Sequence, residues 1–111
     1  MKLAINYIEF ASPNIGASRA FFEKAFGWTF MDYGPAYAAF NDAGIDGGIT
    51  EAPTAPPLVI LYADDLDAAE AAMLSAGGTV VVPQYDFPGG RRFHFREPGG
   101  NVLAVWTERK S

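Results

Sequence analysis

"FHFREPGGNVLAV", residues 93–105, reads as an aromatic strand, a tight turn and an apolar strand. Phe93 and Phe95 alternate with His94, the period-2 pattern of a half-buried strand. Glu97-Pro98-Gly99-Gly100-Asn101 is a run of turn residues, after which Val102 to Trp106 resumes the β-branched and aromatic character of a strand. Reading backwards, "RRFHF" (91–95) follows "TVVVP" (79–83), and "LVILYA" (58–63) is a further strand. Between these last two, Asp64-Asp65 can cap a helix that runs to Ala76 and stops at Gly77. The second half therefore reads strand, helix, three strands.

The first half has the same order. "NYIEF" (6–10) is a strand, and Asn14 caps a helix whose Ile15, Ser18, Phe21, Phe22, Ala25 and Phe26 share one face and which Gly27 stops. "WTFMDY" (28–33), "AYAAF" (36–40) and "IDGGIT" (45–50) are short strands, with turns at Gly34-Pro35 and Asp42-Ala43-Gly44. Offsets support a repeat: Gly27 and Thr29 lie fifty residues before Gly77 and Thr79, Asn14 fifty-one before Asp65, and Phe40 fifty-five before Phe95. Matching elements at nearly constant spacing predict an α+β domain, residues 1–111, made of two tandem βαβββ modules. Their limits are about 1–52 and 57–108, and the proline-rich loop Pro53 to Pro57 lies between them.

Composition bounds the function. A chain of 111 residues, half of them hydrophobic, with nine Phe, five Tyr and two Trp, has material for a packed core. Thirteen acidic against eight basic residues make the surface field negative, which opposes nucleic acid and anionic membranes as partners. The N-terminal "MKLAINYIEF" reaches a glutamate before any signal-length apolar run, and the expectation is a cytoplasmic protein. Without cysteine there is no disulfide, thiol nucleophile or zinc–thiolate site.

With "INYIEF", "SRAFFEKAFGW" and "FREPGGNVLAVW" in place, nearly the whole chain resembles the vicinal oxygen chelate (VOC) superfamily, which includes glyoxalases, bleomycin-resistance proteins, fosfomycin-resistance enzymes and extradiol dioxygenases. The resemblance implies a glyoxalase/bleomycin resistance-like fold, in which the modules form curved mixed sheets around a cavity, and it implies a homodimer. It also implies four metal-ligand positions, on the first and last strands of each module. Counting from the first helix cap and the last hairpin turns puts these at Tyr7, Gly48, Leu58 and Ala104, none of which supplies an imidazole or carboxylate. No cofactor is expected on this alignment. A divalent metal would need substitute ligands, with Glu9 and His94 the only start.

Strand parity selects the candidate site. If Tyr7 faces the cavity, so does Glu9, while Ile8 and Phe10 face the helix. On "RRFHF" the phenylalanines are the pair to bury, leaving Arg92 and His94 for the cavity with Tyr62, Trp106 and, from the matching strand of the first module, Tyr37. Each has a plainer reading. His94 can be a hydrogen-bonded structural side chain, and Glu9 and Arg92 can pair with each other or with other charges. Tyr7, Tyr62 and Trp106 can stack on a flat ligand or simply pack. Asp64 and Asp65 read as caps, and no nucleophile elbow or phosphate loop is present.

Three classes of function follow, in this order. The first is a metal-independent binding protein for a small, partly aromatic ligand, as in bleomycin-resistance-type sequestration. The second is a glyoxalase-like lyase or isomerase with non-standard ligands, for which Glu9 and His94 are the catalytic candidates. The third is a non-enzymatic interaction module.

Overall fold

The computed structural model describes residues 1–109. In chain order the elements are β1 (Ala4–Ser12), α1 (Ile15–Phe26), β2 (Phe30–Asp32), β3 (Tyr37–Phe40), β4 (Asp46–Glu51), β5 (Leu58–Tyr62), α2 (Leu66–Ser75), β6 (Thr79–Phe87), β7 (Gly90–Arg96) and β8 (Val102–Glu108). This is the expected α+β arrangement, with βαβββ occurring twice. Among the described residues no helix is long and apolar enough to cross a membrane.

Local chemistry sets both helices. The Asn14 side chain accepts a hydrogen bond from the Ala17 N–H at 3.0 Å, and Asp65 does the same for the Ala68 N–H at 3.0 Å, each satisfying one of the donors a helix start leaves open. At the far end of α1, Gly27 adopts φ 76°, a left-handed conformation that suits glycine, and its N–H returns to the Glu23 carbonyl. Gly77 turns the chain at φ 101° just beyond α2.

The chain divides into two compact units, Tyr7–Leu58 and a second made of Met1–Asn6 with the chain from Val59 onward. In the first unit the strand order is β2-β3-β4-β1. β1 runs parallel to β4, and β3 is antiparallel to β2 and β4. The second unit repeats this as β6-β7-β8-β5, with β5 parallel to β8 and β7 antiparallel to both of its neighbours.

Each unit buries one sheet face under its own helix. In the second unit Ala63, Leu66, Ala69, Phe93 and Val105 form a closed cluster, flanked by Leu3, Leu61, Met73 and Phe95. Phe93 and Phe95 thus take the helix side, as parity required. Phe93 is fully buried, and a large apolar side chain taken wholly from water contributes roughly 1.5–3 kcal/mol. The first unit's core is Ile15, Ala38 and Ile49, with Phe10, Phe22 and Phe30 packed against it. Aromatic stacking extends it: Phe22 lies on Phe10 at 5.8 Å and on Trp28 at 4.6 Å between centroids.

Strand boundaries differ from the sequence reading by one to four residues, and two of the differences have a physical reason. β2 starts at Phe30, because Trp28 is engaged in the stack on Phe22. β6 continues four residues past Pro83, to Phe87. Pro83 has no N–H to donate, but β6 closes its unit's strand order, and its pairing with β7 shifts register between Val80 and Val82 and again between Val82 and Tyr85. An outer strand with irregular pairing tolerates a proline that an inner strand would not.

Candidate functional site

In the first unit the structure brings together Tyr7, Glu9 and Tyr37. Glu9 is buried on β1, where it pairs with Gly48 across the parallel β1–β4 ladder. The Tyr37 hydroxyl donates to the Glu9 Oε2 at 3.2 Å, and the Tyr7 and Tyr37 hydroxyl oxygens lie 2.5 Å apart. A phenol has a single proton, so with Tyr37 donating to the carboxylate, Tyr7 donates to Tyr37 and the chain of hydrogen bonds runs one way toward Glu9. Burial, then the bond to Tyr7 and the field of Glu9, push the Tyr37 phenol far above the usual tyrosine range. It serves as a neutral O–H donor at any ordinary pH.

In the second unit Tyr62, Arg92, His94 and Trp106 share the sheet face opposite Phe93 and Phe95. The register explains their proximity: Tyr85 pairs with Arg92, Arg92 with Trp106, and Trp106 with Tyr62, so one cross-strand row spans β6, β7, β8 and β5. The Arg92 Nε donates to the Tyr85 hydroxyl, which also lies 3.0 Å from the His94 Nε2. The Arg92 guanidinium sits 5.4 Å over the Tyr85 ring and 5.7 Å over that of Phe87, both within cation–π range. Trp106 meets Tyr62 edge-on at 5.0 Å and Phe87 at 6.2 Å, and its indole N–H donates to the Asn6 Oδ1 at 3.0 Å. The Tyr62 hydroxyl donates to Glu108 at 3.3 Å.

All seven sequence candidates thus fall in two clusters, one per unit. Sequence reasoning missed Tyr85 and Phe87, since Pro83 read as a strand end, and Asn6, whose partner Trp106 is a hundred residues away. A signal existed for the first two: in "QYDFPGGRR" (84–92), Asp86 and Arg91 flank a turn, and their side chains pair across the hairpin at 2.8 Å.

Elsewhere in this unit, a depression of about 290 Å³ is lined by the acidic Asp64, Asp65, Asp67 and Glu108, with Gln84 and Arg91. Gln84 already donates to Asp67 at 2.8 Å and to Glu70 at 3.1 Å, and accepts from Arg91 at 2.8 Å. None of the seven candidates lines it.

The four metal-ligand positions implied by the resemblance do not fit a divalent ion. Tyr7 presents a phenol engaged with Tyr37, Gly48 presents no side chain, Leu58 is aliphatic and Ala104 is a fully buried methyl. Among the described residues, no group of three or more His, Cys, Asp or Glu is placed to hold a metal.

The family model described as Glyoxalase/Bleomycin resistance protein/Dioxygenase superfamily matches residues 4–105. No curated protein matches the sequence. Among solved structures, a glyoxalase/bleomycin resistance protein/dioxygenase superfamily member from Vibrio splendidus 12B01 superposes with TM-score 0.76 at 12% identity, over 96% of this chain and 100% of that one. Methylmalonyl-CoA epimerase from Mycobacterium tuberculosis gives 0.72 at 13%, over 96% and 88%. The Mn(II)-bound glyoxalase from Novosphingobium aromaticivorans gives 0.70 at 22%, over 96% of this chain and 41% of that longer one. At such identities the likeness is one of fold.

Proposed function

Because the chain belongs to the glyoxalase/bleomycin resistance protein/dioxygenase superfamily, its activity depends on what its own side chains add to a shared scaffold, and we propose that it binds a small, flat, partly aromatic molecule without the usual metal quartet. Such binding resembles sequestration of the bleomycin-resistance type. The observation that carries this reading is the row Tyr85–Arg92–Trp106–Tyr62. It presents rings with a guanidinium among them, and Arg92 is braced through Nε by Tyr85 and Trp106 by Asn6, so little ordering remains to be done on binding. Rings of this kind stack on a planar ligand, while Arg92 and His94 fix its polar substituents. The proposal includes a homodimer. The exposed Phe21, Phe26, Met31 and Tyr33 of the first unit support it as apolar surface that a second copy would cover.

The test is a screen of planar aromatic acids and antibiotics by tryptophan emission, on chelator-treated protein. Quenching is expected in the parent chain, is expected to disappear in Trp106→Phe, which keeps Trp28, and is expected to weaken about tenfold or more in Arg92→Ala, the loss of a charge-assisted contact. Absence of any quenching across the screen rejects the reading. Stoichiometric nickel, zinc or manganese that strongly raises the melting temperature would favour a glyoxalase-like lyase instead. The dimer is checked by the mass in solution, expected near twice 11.9 kDa.

A further inference from the structure

Gly48 is one of the four positions where the family resemblance calls for a metal ligand, and its surroundings explain why no side chain stands there. On one side, β1 brings the buried Glu9 opposite Gly48. On the other, Ala39 of β3 lies opposite Gly48 and Tyr37 opposite Thr50. Tyr37 is therefore the diagonal neighbour of Gly48 on the same face, within reach of a long side chain. Its ring does cross the strand: a Cβ built at Gly48 would fall onto the Tyr37 hydroxyl and ring edge, nearer than real carbon atoms approach. The three phenol contacts stand together here. Tyr37 passes over Gly48, donates to Glu9 and accepts from Tyr7.

We propose that Gly48 is the positioning residue of this corner. Its bare backbone lets the Tyr37 phenol lie across β4 and join Tyr7 to Glu9, and the phenol fills the volume into which a metal ligand at position 48 would project. The first unit thereby offers hydrogen-bonding oxygens where the resemblance calls for cation ligands. Burial of Tyr37 supports this, since a phenol held far above its usual range is fixed as a donor. The inference concerns the first unit alone and stands whether or not the aromatic row of the second unit takes a ligand.

The experiment is a double-mutant cycle on the full chain: the parent, Gly48→Ala, Tyr37→Ala and the double variant, unfolded in urea. Gly48→Ala is expected to lower the urea midpoint in the parent and to leave it nearly unchanged in the Tyr37→Ala background, where the added methyl meets no phenol. A second readout is the absorbance titration of the five tyrosines. In the parent one phenol is expected to resist ionisation until alkaline unfolding, and in Gly48→Ala that protection is expected to be lost before unfolding. If Gly48→Ala alone does not fold, the double variant is still expected to fold. An equal loss of midpoint in both backgrounds, a protected phenol that persists in Gly48→Ala, or failure of the double variant to fold where Tyr37→Ala folds would each overturn the proposal.

Discussion

The repeat permits a residue-by-residue comparison of the two units at matching points of their strands. In the first, Gly48 of the last strand pairs with Glu9 and Ala39. In the second, Ala104 of the last strand pairs with Ile60 and His94. Glu9 and Ile60 are fifty-one residues apart, as are the two caps, and Ala39 and His94 are fifty-five apart, as are Phe40 and Phe95. Both first-strand residues are buried, yet one is a carboxylate and the other an aliphatic chain. The polar group moves instead to the other neighbour, where alanine faces histidine. The shared topology rests on strand pairing and on the helix-facing residues, so the opposite face is free to carry a phenol–carboxylate chain in one unit and an arginine–tyrosine–histidine cluster in the other.

Core substitutions should break the comparison most sharply. Phe93→Ala, in the closed core of the second unit, is expected to cost about 3–5 kcal/mol in urea unfolding. Phe22→Ala, in the half-buried aromatic stack of the first, is expected to cost less, because water already reaches its site. Equal losses would show the two cores to be packed alike. Next in size is the buried polar position. Glu9→Ala removes the acceptor of the Tyr37 hydroxyl and is expected to destabilise by about 1–3 kcal/mol, whereas Ile60→Val, at the equivalent point, is expected to cost about 0.5–1.5 kcal/mol. The same urea series measures both.

The caps should give smaller and nearly equal effects, since both accept one backbone N–H at 3.0 Å. Asn14→Ala and Asp65→Ala are each expected to cost about 1 kcal/mol, and a clear inequality would show that one helix depends on its cap more than the other.

The smallest effect is an acid-side pH dependence to which a surface carboxylate of each unit contributes. Asp42 lies below the usual carboxylate range because the Thr29 hydroxyl, and then its backbone N–H, donate to it. Glu97 lies below it because the N–H groups of Gly99 and then Asn101 donate to it. A depressed folded-state pKa contributes stability above the unfolded value, near pH 4, and that contribution is lost as pH falls through the folded value. Asp42→Asn and Glu97→Gln are therefore expected to lower the urea midpoint slightly at neutral pH and to converge with the parent in acid. Both carboxylates are on the surface, so the changes should be small.

Most of the architecture was legible because its signals are local. Asn14, Gly27, Asp65 and Gly77 mark both helices by cap chemistry, and the alternation of Phe93, His94 and Phe95 assigned the two faces of β7 before any contact was known. Glu97 organises the turn "EPGGN" through the same carboxylate acceptance that makes such a sequence a turn. The candidate site was legible only in part. Parity gave the side of the sheet for Tyr7, Glu9, Arg92, His94 and Trp106, but parity is silent on register, and register is what sets Tyr85, Arg92, Trp106 and Tyr62 in one row. Tyr85 and Phe87 lay beyond a proline that ends most strands, and the contact of Asn6 with Trp106 depends on tertiary structure alone.

The register shifts and proline of β6 carry a consequence beyond letting the strand continue. β6 and β2 close the strand orders of their units, and a regular outer strand is a template on which foreign backbone can add, the route to fibrous aggregates. Pro83 withholds a donor there and the bulges spoil the repeat distance, while β2, at three residues, offers too short a ledge for a neighbour to grip. The two halves are thus shielded from sticking to stray chains by different means, one by irregularity and the other by brevity.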